Sequence, residues 1–378
     1  MKILTIIGTR PEVIKMAPIL TLLKTNKGFE SYVCLTSQHK DLLTDPLKFF
    51  EIKADFDLEI MLPDQNLFNI SVGILSKIEL VIRQLKPDLI LVQGDTTSAF
   101  IGALSGFYSK IRIGHVEAGL RTNYKESPYP EEINRQLISR IADIHFAPTL
   151  RSKQNLLDEN IAENTIFVTG NTIIDALNFA MDKIYSSEYQ RNTSINFDLP
   201  EKLKINLSDA SKKIIVVTAH RRENFVNTIT NLCKALRELS KRQDVIIVFL
   251  VHPNPNINDL INKELENHEH ILLIKPMDYL PFVYLMKSCY FIMTDSGGLQ
   301  EEAAALGKPV LVFRTVTERQ ESIIAGSSKL IGLDPKSIID SANELLDNED
   351  IYKSMAQIRL HYGDGNAAKK IVKIISQL

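Results

Sequence analysis

Short runs of apolar, often β-branched residues recur along this chain, and each is followed by a polar loop and then by a stretch that favours helix. Ile3–Ile7, Ser31–Thr36, Leu89–Val92, Ile113–Val116 and Ile166–Val168 fall in the first half. Ile214–Val217, Val245–Val251, Ile271–Ile274, Tyr290–Met293 and Pro309–Phe313 fall in the second. Runs that are apolar throughout suit strands buried on both faces, the condition of a parallel sheet covered by helices. One hydrophobic core rarely serves 378 residues, so the pattern predicts an α/β protein of two Rossmann-like domains. The polar, weakly periodic segment Ser186–Ser211 lies near their junction.

Composition narrows the class of partner. The net charge of -2 gives no electrostatic reason to expect nucleic acid or an anionic membrane surface. Apolar content of 44% and charged content of 24% suit an ordinary globular protein, and no apolar run reaches the length that spans a bilayer. Cys34, Cys233 and Cys289 are far apart and form no CxxC pair, so neither a zinc site nor a disulfide frame is expected, and a cytoplasmic protein with reduced thiols is. The Rossmann GxGxxG is missing after the first strand, and no nicotinamide or other cofactor is expected.

In parallel sheets, ligands meet the loops at the carboxyl ends of strands. The segment Thr294-Asp-Ser-Gly-Gly-Leu-Gln-Glu-Glu302 sits at such an end. Ser296, Gly297 and Gly298 let a backbone approach closely, and the helix that follows aims N–H groups at an anion, which makes a diphosphate site. Glu302, on the first turns of that helix, is placed for a ribose hydroxyl. The plainer alternative is a tight strand–helix turn. Arg10 and Lys15 follow the first strand and read either as anion ligands or as solvated cations. Asp95 and Glu117 end the next strands, while Glu131 starts a helix with Arg135 one turn on. Asp95 and Glu131 could serve the helix dipole alone, but Glu117 is followed by Ala-Gly-Leu-Arg and has no such role. Several carboxylates near a phosphate site are costly unless they do acid–base work. His220, with Arg221 and Arg222 beside it, marks a further anion-friendly loop. Phe282 reads as core, or as a ring that stacks on a base. Arg319 lies where it could reach a ligand.

These residues fall in motifs that resemble the non-hydrolysing UDP-N-acetylglucosamine 2-epimerases. The motifs are GTRPEVIKMAP from Gly8, QGDTTS from Gln93, HVEAGLRT from His115, PEEINRQ from Pro130, TGNTIIDAL from Thr169, AHRREN from Ala219, TDSGGLQEEA from Thr294 and GDG at Gly363. They occur in order over nearly the whole chain. The resemblance implies two domains facing across a cleft, the glycosyltransferase-B type fold. It implies a first domain of residues 1–170 plus a C-terminal helix 365–378, carrying the catalytic carboxylates, and a UDP-binding domain of residues 171–364. It further implies reversible inversion at C2 of UDP-N-acetylglucosamine to give UDP-N-acetylmannosamine, through loss of UDP to a glycal and its re-addition. The product would supply cell-surface polysaccharide.

The same resemblance assigns Asp95, Glu117, Glu131 and His220 to catalysis. It assigns Arg10, Lys15, Arg135, Arg221, Phe282, Ser296, Gly297, Gly298, Glu302 and Arg319 to binding the UDP-sugar. It implies no metal, no nucleic-acid or membrane partner, and a homodimer. An epimerase of another UDP-2-acetamido sugar, or a UDP-sugar glycosyltransferase of the same fold, are the alternatives. The chain departs from the family pattern at Gln93, where His is usual, at Gln320, where Pro is usual, and in the stretch His361–Gly365. Some members carry a second, regulatory UDP-sugar site. Gln38 and His39 match one half of it, but Asp64-Gln65 puts an acid where an arginine belongs, which speaks against regulation.

Overall fold

The computed structural model describes residues 1–37, 40–61, 66–186, 199–219, 225–251 and 255–378. They form two units, Met1–Asn178 with Tyr362–Leu378, and Phe179–His361. The first unit runs β1 (Lys2–Ile7), α1 (Arg10–Thr25), β2 (Glu30–Leu35), α2 (Lys40–Phe49), β3 (Phe56–Asp57) and α3 (Leu67–Leu85). It continues with β4 (Leu89–Gln93), α4 (Thr97–Tyr108), β5 (Arg112–Val116), α5 (Glu131–Ile141), β6 (Ile144–Ala147), α6 (Leu150–Asp158), β7 (Ile166–Val168) and α7 (Thr172–Tyr185). The strand order is β3-β2-β1-β4-β5-β6-β7, and all pairings are parallel. The order reverses between β1 and β4, so the loops after these two strands flank the crevice where such sheets bind ligands.

The physical basis is the one the apolar runs suggest. Side chains of β1 and β4 alternate between two cores. Ile3, Ile7, Leu89 and Leu91 pack with α1, while Leu4, Ile6, Ile90 and Val92 pack with α3 and α4. Each fully buried aliphatic side chain contributes about 1.5–3 kcal/mol. The last helix, Ala367–Ile375, belongs to this unit. Ala368, Ile371, Val372 and Ile375, spaced to share one face, enter the core that holds Val13, Met16, Leu20 and Leu23 of α1. Asp175 of α7 caps that helix, accepting from the Ala367 and Ala368 amides at 3.2 and 2.9 Å.

The second unit contains β8 (Lys213–Thr218), β9 (Val245–Leu250), β10 (Ile271–Ile274), β11 (Phe291–Thr294), β12 (Val310–Val312) and β13 (Ser328–Leu330). Their order is β10-β9-β8-β11-β12-β13, again parallel, with the reversal between β8 and β11. Thr218 and Thr294 end these two strands side by side, their hydroxyls 2.7 Å apart. Both units are thus doubly wound α/β sheets. No helix among the described residues is long and apolar enough to cross a membrane. The three cysteines are buried and unpaired in disulfides.

Candidate active site

In the first unit two of the three expected acids, Asp95 and Glu117, lie at adjacent strand ends. Glu117 follows β5 directly and adopts a left-handed backbone, φ 68°, at a cost of about 1–2 kcal/mol for a residue with a Cβ. Its carboxylate is buried and accepts from Lys15 Nζ at 2.8 and 2.6 Å, from Asn171 Nδ2 at 3.1 Å, and from Gln93 Nε2. Lys15, on α1, is only 8% exposed, so this is a buried ion pair between the first helix and the end of β5. Lys15 therefore meets a carboxylate, where the sequence suggested an anionic ligand.

Asp95 follows Gly94 in the turn after β4. Arg135 of α5 donates to Asp95 Oδ2 through Nε at 2.8 Å and to Glu132 Oε2 through Nη1 at 2.8 Å. Asn134 Nδ2 holds the Asp95 carbonyl at 2.9 Å. Arg135 thus orients a carboxylate. Glu132 is fully buried and also accepts from the Thr122 and Asn123 amides, both at 3.0 Å. Its neighbour Glu131, the third of the expected catalytic acids, begins α5 and is half-buried. His115 donates from Nε2 to the Gly94 carbonyl at 2.7 Å, since a carbonyl can only accept. Burial pushes its imidazole down to about 3, so it stays neutral and fixes the turn that presents Asp95. Arg10 starts α1, half-buried, 4.0 Å from Asp45.

Glu12 was not anticipated. It is 1% exposed and ties the loop after β1 to the loop after β4, accepting from the Gly8 amide, the Thr9 hydroxyl and the Thr96 hydroxyl. Burial pushes its carboxyl up to about 7 against the pull of these donors. Asn171, at the start of α7, lies in the TGNTIIDAL motif, and only the fold brings its amide to Glu117.

In the second unit, Ser296 N-caps the helix Gly297–Leu306, and its side chain makes no capping bond. The free amides of the first turn and the helix dipole suit this helix start to an anion. The Ser296 amide itself donates to Thr294 Oγ1 at 3.0 Å. The loop is braced from behind by the segment that follows β12. Arg319, 4% exposed, donates to Glu301 Oε1 at 2.7 Å and Glu318 Oε1 at 3.0 Å, and Arg314 donates to Glu318 Oε2 at 3.0 Å. A Cβ on Gly297 would stand 2.6 Å from Glu318 Oε1, whereas one on Gly298 would meet no protein atom within 4 Å. Gly297 is needed for packing, and Gly298 leaves the approach to the helix start open. Gln320, in place of the usual proline, closes its own turn by donating to the Thr317 carbonyl at 2.6 Å.

Glu302 is buried, and Tyr279 donates its phenol to Glu302 Oε1 at 2.9 Å. Phe282 is half-buried on the same helix as Tyr279, Tyr279–Ser288. His220, Arg221 and Arg222 lie outside the described residues, as do Gln38, His39, Asp64 and Gln65. Among the described residues no group of His, Cys, Asp and Glu is arranged to hold a metal. The first unit therefore offers carboxylates at an α/β switch point, and the second an open helix start followed by a buried carboxylate on the same helix.

Comparison with known proteins gives the family. The sequence profile described as UDP-N-acetylglucosamine 2-epimerase matches residues 21–376. A UDP-N-acetylglucosamine 2-epimerase of Yersinia pestis is 47% identical, covering 99% of this chain and 98% of its own length. The Escherichia coli K12 enzyme of that name is 45% identical over 99% of this chain and 98% of its own. The crystal structure of the Neisseria meningitidis UDP-GlcNAc 2-epimerase bound to UDP-GlcNAc superposes with a TM-score of 0.95 at 44% identity, covering all of both chains. The Methanocaldococcus jannaschii UDP-GlcNAc 2-epimerase in complex with UDP-GlcNAc and UDP gives 0.86 at 31% identity, again over both full chains. A Rickettsia africae glycosyltransferase at 15% identity and TM-score 0.58 shares the fold alone. The expected glycosyltransferase-B type fold is therefore present.

Proposed function

This chain belongs to the UDP-N-acetylglucosamine 2-epimerase family, and from that premise we propose how its residues interconvert UDP-N-acetylglucosamine and UDP-N-acetylmannosamine. C2 of the sugar has no neighbouring carbonyl, so its hydrogen is not acidic in the ground state. It becomes acidic once the C1–O bond to UDP weakens. In our reading the C1–O electron pair leaves with UDP, a carboxylate of the first unit takes the C2 proton, and the C2–H pair forms a C1=C2 bond. Re-protonation from the other face and return of UDP complete the inversion. The helix start at Ser296–Gly298 receives the diphosphate, and stabilises charge growing there by a few kcal/mol per well-placed donor. Glu302 takes the ribose, and Phe282 the base. Arg10 and His220 are the residues we assign to stabilising charge on the leaving group.

The observation that carries this reading is the placing of Asp95 and Glu117 at adjacent strand ends, each held by buried cationic partners. A carboxylate so oriented suits directed proton transfer at one carbon. We further propose that the enzyme is cytoplasmic, that its product feeds cell-surface polysaccharide, and that it works as a homodimer. The apolar stripe Phe68, Val72 and Leu75 on α3, exposed at 81%, 66% and 38%, supports the last of these, because a second copy would cover it.

The test is a proton NMR time course on UDP-N-acetylglucosamine in deuterated water. Appearance of the C2 epimer, with deuterium replacing the C2 proton, is expected. An unchanged substrate in the presence of folded protein excludes the reaction. An epimer that keeps its C2 proton excludes elimination. Free N-acetylmannosamine would show a hydrolysing enzyme instead.

A further inference from the structure

Two of the three expected acids, Asp95 and Glu117, are held in different ways. Each oxygen of Glu117 already accepts twice: Oε1 from Lys15 and Asn171, Oε2 from Lys15 and Gln93. A carboxylate offers about four lone-pair sites, so no acceptor position is left for a proton drawn from carbon. The donors are also locked in place. Lys15 is 8% exposed, and Gln93 and Asn171 are each 2% exposed. Releasing an oxygen of Glu117 means breaking a buried ion pair, which leaves an uncompensated charge. Asp95 is anchored by one oxygen. Arg135 holds Oδ2, Asn134 holds the backbone carbonyl, and among the described residues no donor reaches Oδ1. Its side chain is 25% exposed. A carboxylate pinned by a guanidinium through one oxygen keeps the other at a fixed, accessible point.

We propose that Asp95, through Oδ1, takes the C2 proton in the elimination half-reaction, and that Glu117 carries no proton but is a positioning residue. Its charge retains the Lys15 ammonium, and through Gln93 it sets the strand end from which Asp95 projects. This inference rests on the elimination reading. The step balances within it: the C2–H pair becomes the C1=C2 bond, the C1–O pair departs on UDP, and the proton resides on Asp95 Oδ1.

The two roles separate by charge cancellation. Glu117→Gln alone leaves the Lys15 ammonium buried without a partner, and C2 deuterium exchange should fall by roughly a hundredfold or more. Glu117→Gln with Lys15→Met removes both charges, and exchange should recover by about tenfold or more over the single variant. Asp95→Asn should bind UDP with a Kd within about threefold of wild type, since Asp95 serves the sugar end, and yet show no exchange. A double variant with wild-type Tm that exchanges no faster than Glu117→Gln overturns the proposal. So does an Asp95→Asn enzyme that exchanges at the wild-type rate, and this arm stands even where the Lys15 variants do not fold. Wild-type enzyme that epimerises without exchange overturns the elimination reading as well, which distinguishes the two failures.

Discussion

Thr96 donates its hydroxyl to Oε1 of Glu12 at 2.9 Å, joining the turn after β4 to the first turn of α1. The other Glu12 oxygen accepts from Gly8 and Thr9, so one buried carboxyl ties the loop bearing Arg10 to the loop bearing Asp95. The expected cost of this arrangement depends on pH. The carboxyl titrates at 4.5 when exposed and at about 7 in the fold, so the native state binds the extra proton between those values. Stability from this group is fully present below 4.5 and is lost as pH rises through 7, by roughly 3 kcal/mol. Glu12→Gln keeps the shape without the ionisation. Urea unfolding across pH 4.5 to 8 should therefore show a steeper fall for wild type than for Glu12→Gln, and parallel curves would contradict the shift.

Tyr279→Phe removes the donor to Glu302 and leaves the ring in place. A buried carboxylate deprived of one partner loses about 1–3 kcal/mol of support. If Glu302 holds the ribose, UDP affinity measured by calorimetry should fall by about tenfold, the equivalent of ~1.4 kcal/mol, with kcat at saturation nearly unchanged. An unaltered Kd would detach Glu302 from the nucleotide.

The paired glycines should respond differently to the same substitution. Gly297→Ala drives a methyl to 2.6 Å from Glu318 Oε1, so the Glu301–Arg319–Glu318 network must shift and Tm should drop. Gly298→Ala meets no protein atom within 4 Å and adds helix propensity of up to about 1 kcal/mol. Its Tm should hold or rise while UDP binding weakens, because the added methyl stands where the ligand approaches. Equal UDP affinity in Gly298→Ala and wild type would move the phosphate elsewhere.

Charge placed on the apolar stripe of α3 should report the assembly. Phe68→Glu with Val72→Glu alters only exposed positions, so Tm should change little. Sedimentation velocity should show the proposed dimer shifted to monomer. A dimer that survives the double substitution occupies another face.

Most of the architecture was legible because strands buried on both faces leave continuous apolar runs, as in Ile3–Ile7 and Val245–Val251. Shorter strands carried too little signal. β3 has two residues, and β6 includes the buried polar His145, so neither reads as an apolar run. The site was legible in its residue types and less so in their pairings. Lys15 and Arg135 look like ligands for an anion, yet partners distant in sequence turn them onto Glu117 and Asp95. Arg319 is likewise held inside its unit by Glu301 and Glu318. Glu12 carries no such signal in the sequence, and only the fold brings Thr96 to it.

The seventeen-residue return of Tyr362–Leu378 into the first unit has a consequence for biogenesis. As the polypeptide emerges from the ribosome, the second unit is made before the piece that finishes the first. Until the segment bearing Ile371 and Ile375 arrives, the side of α1 lined by Met16 and Leu20 has no cover. The nascent first half must therefore wait, sticky and incomplete, until the second unit has been made, and a ribosome that stalls within that unit would leave it exposed to proteases.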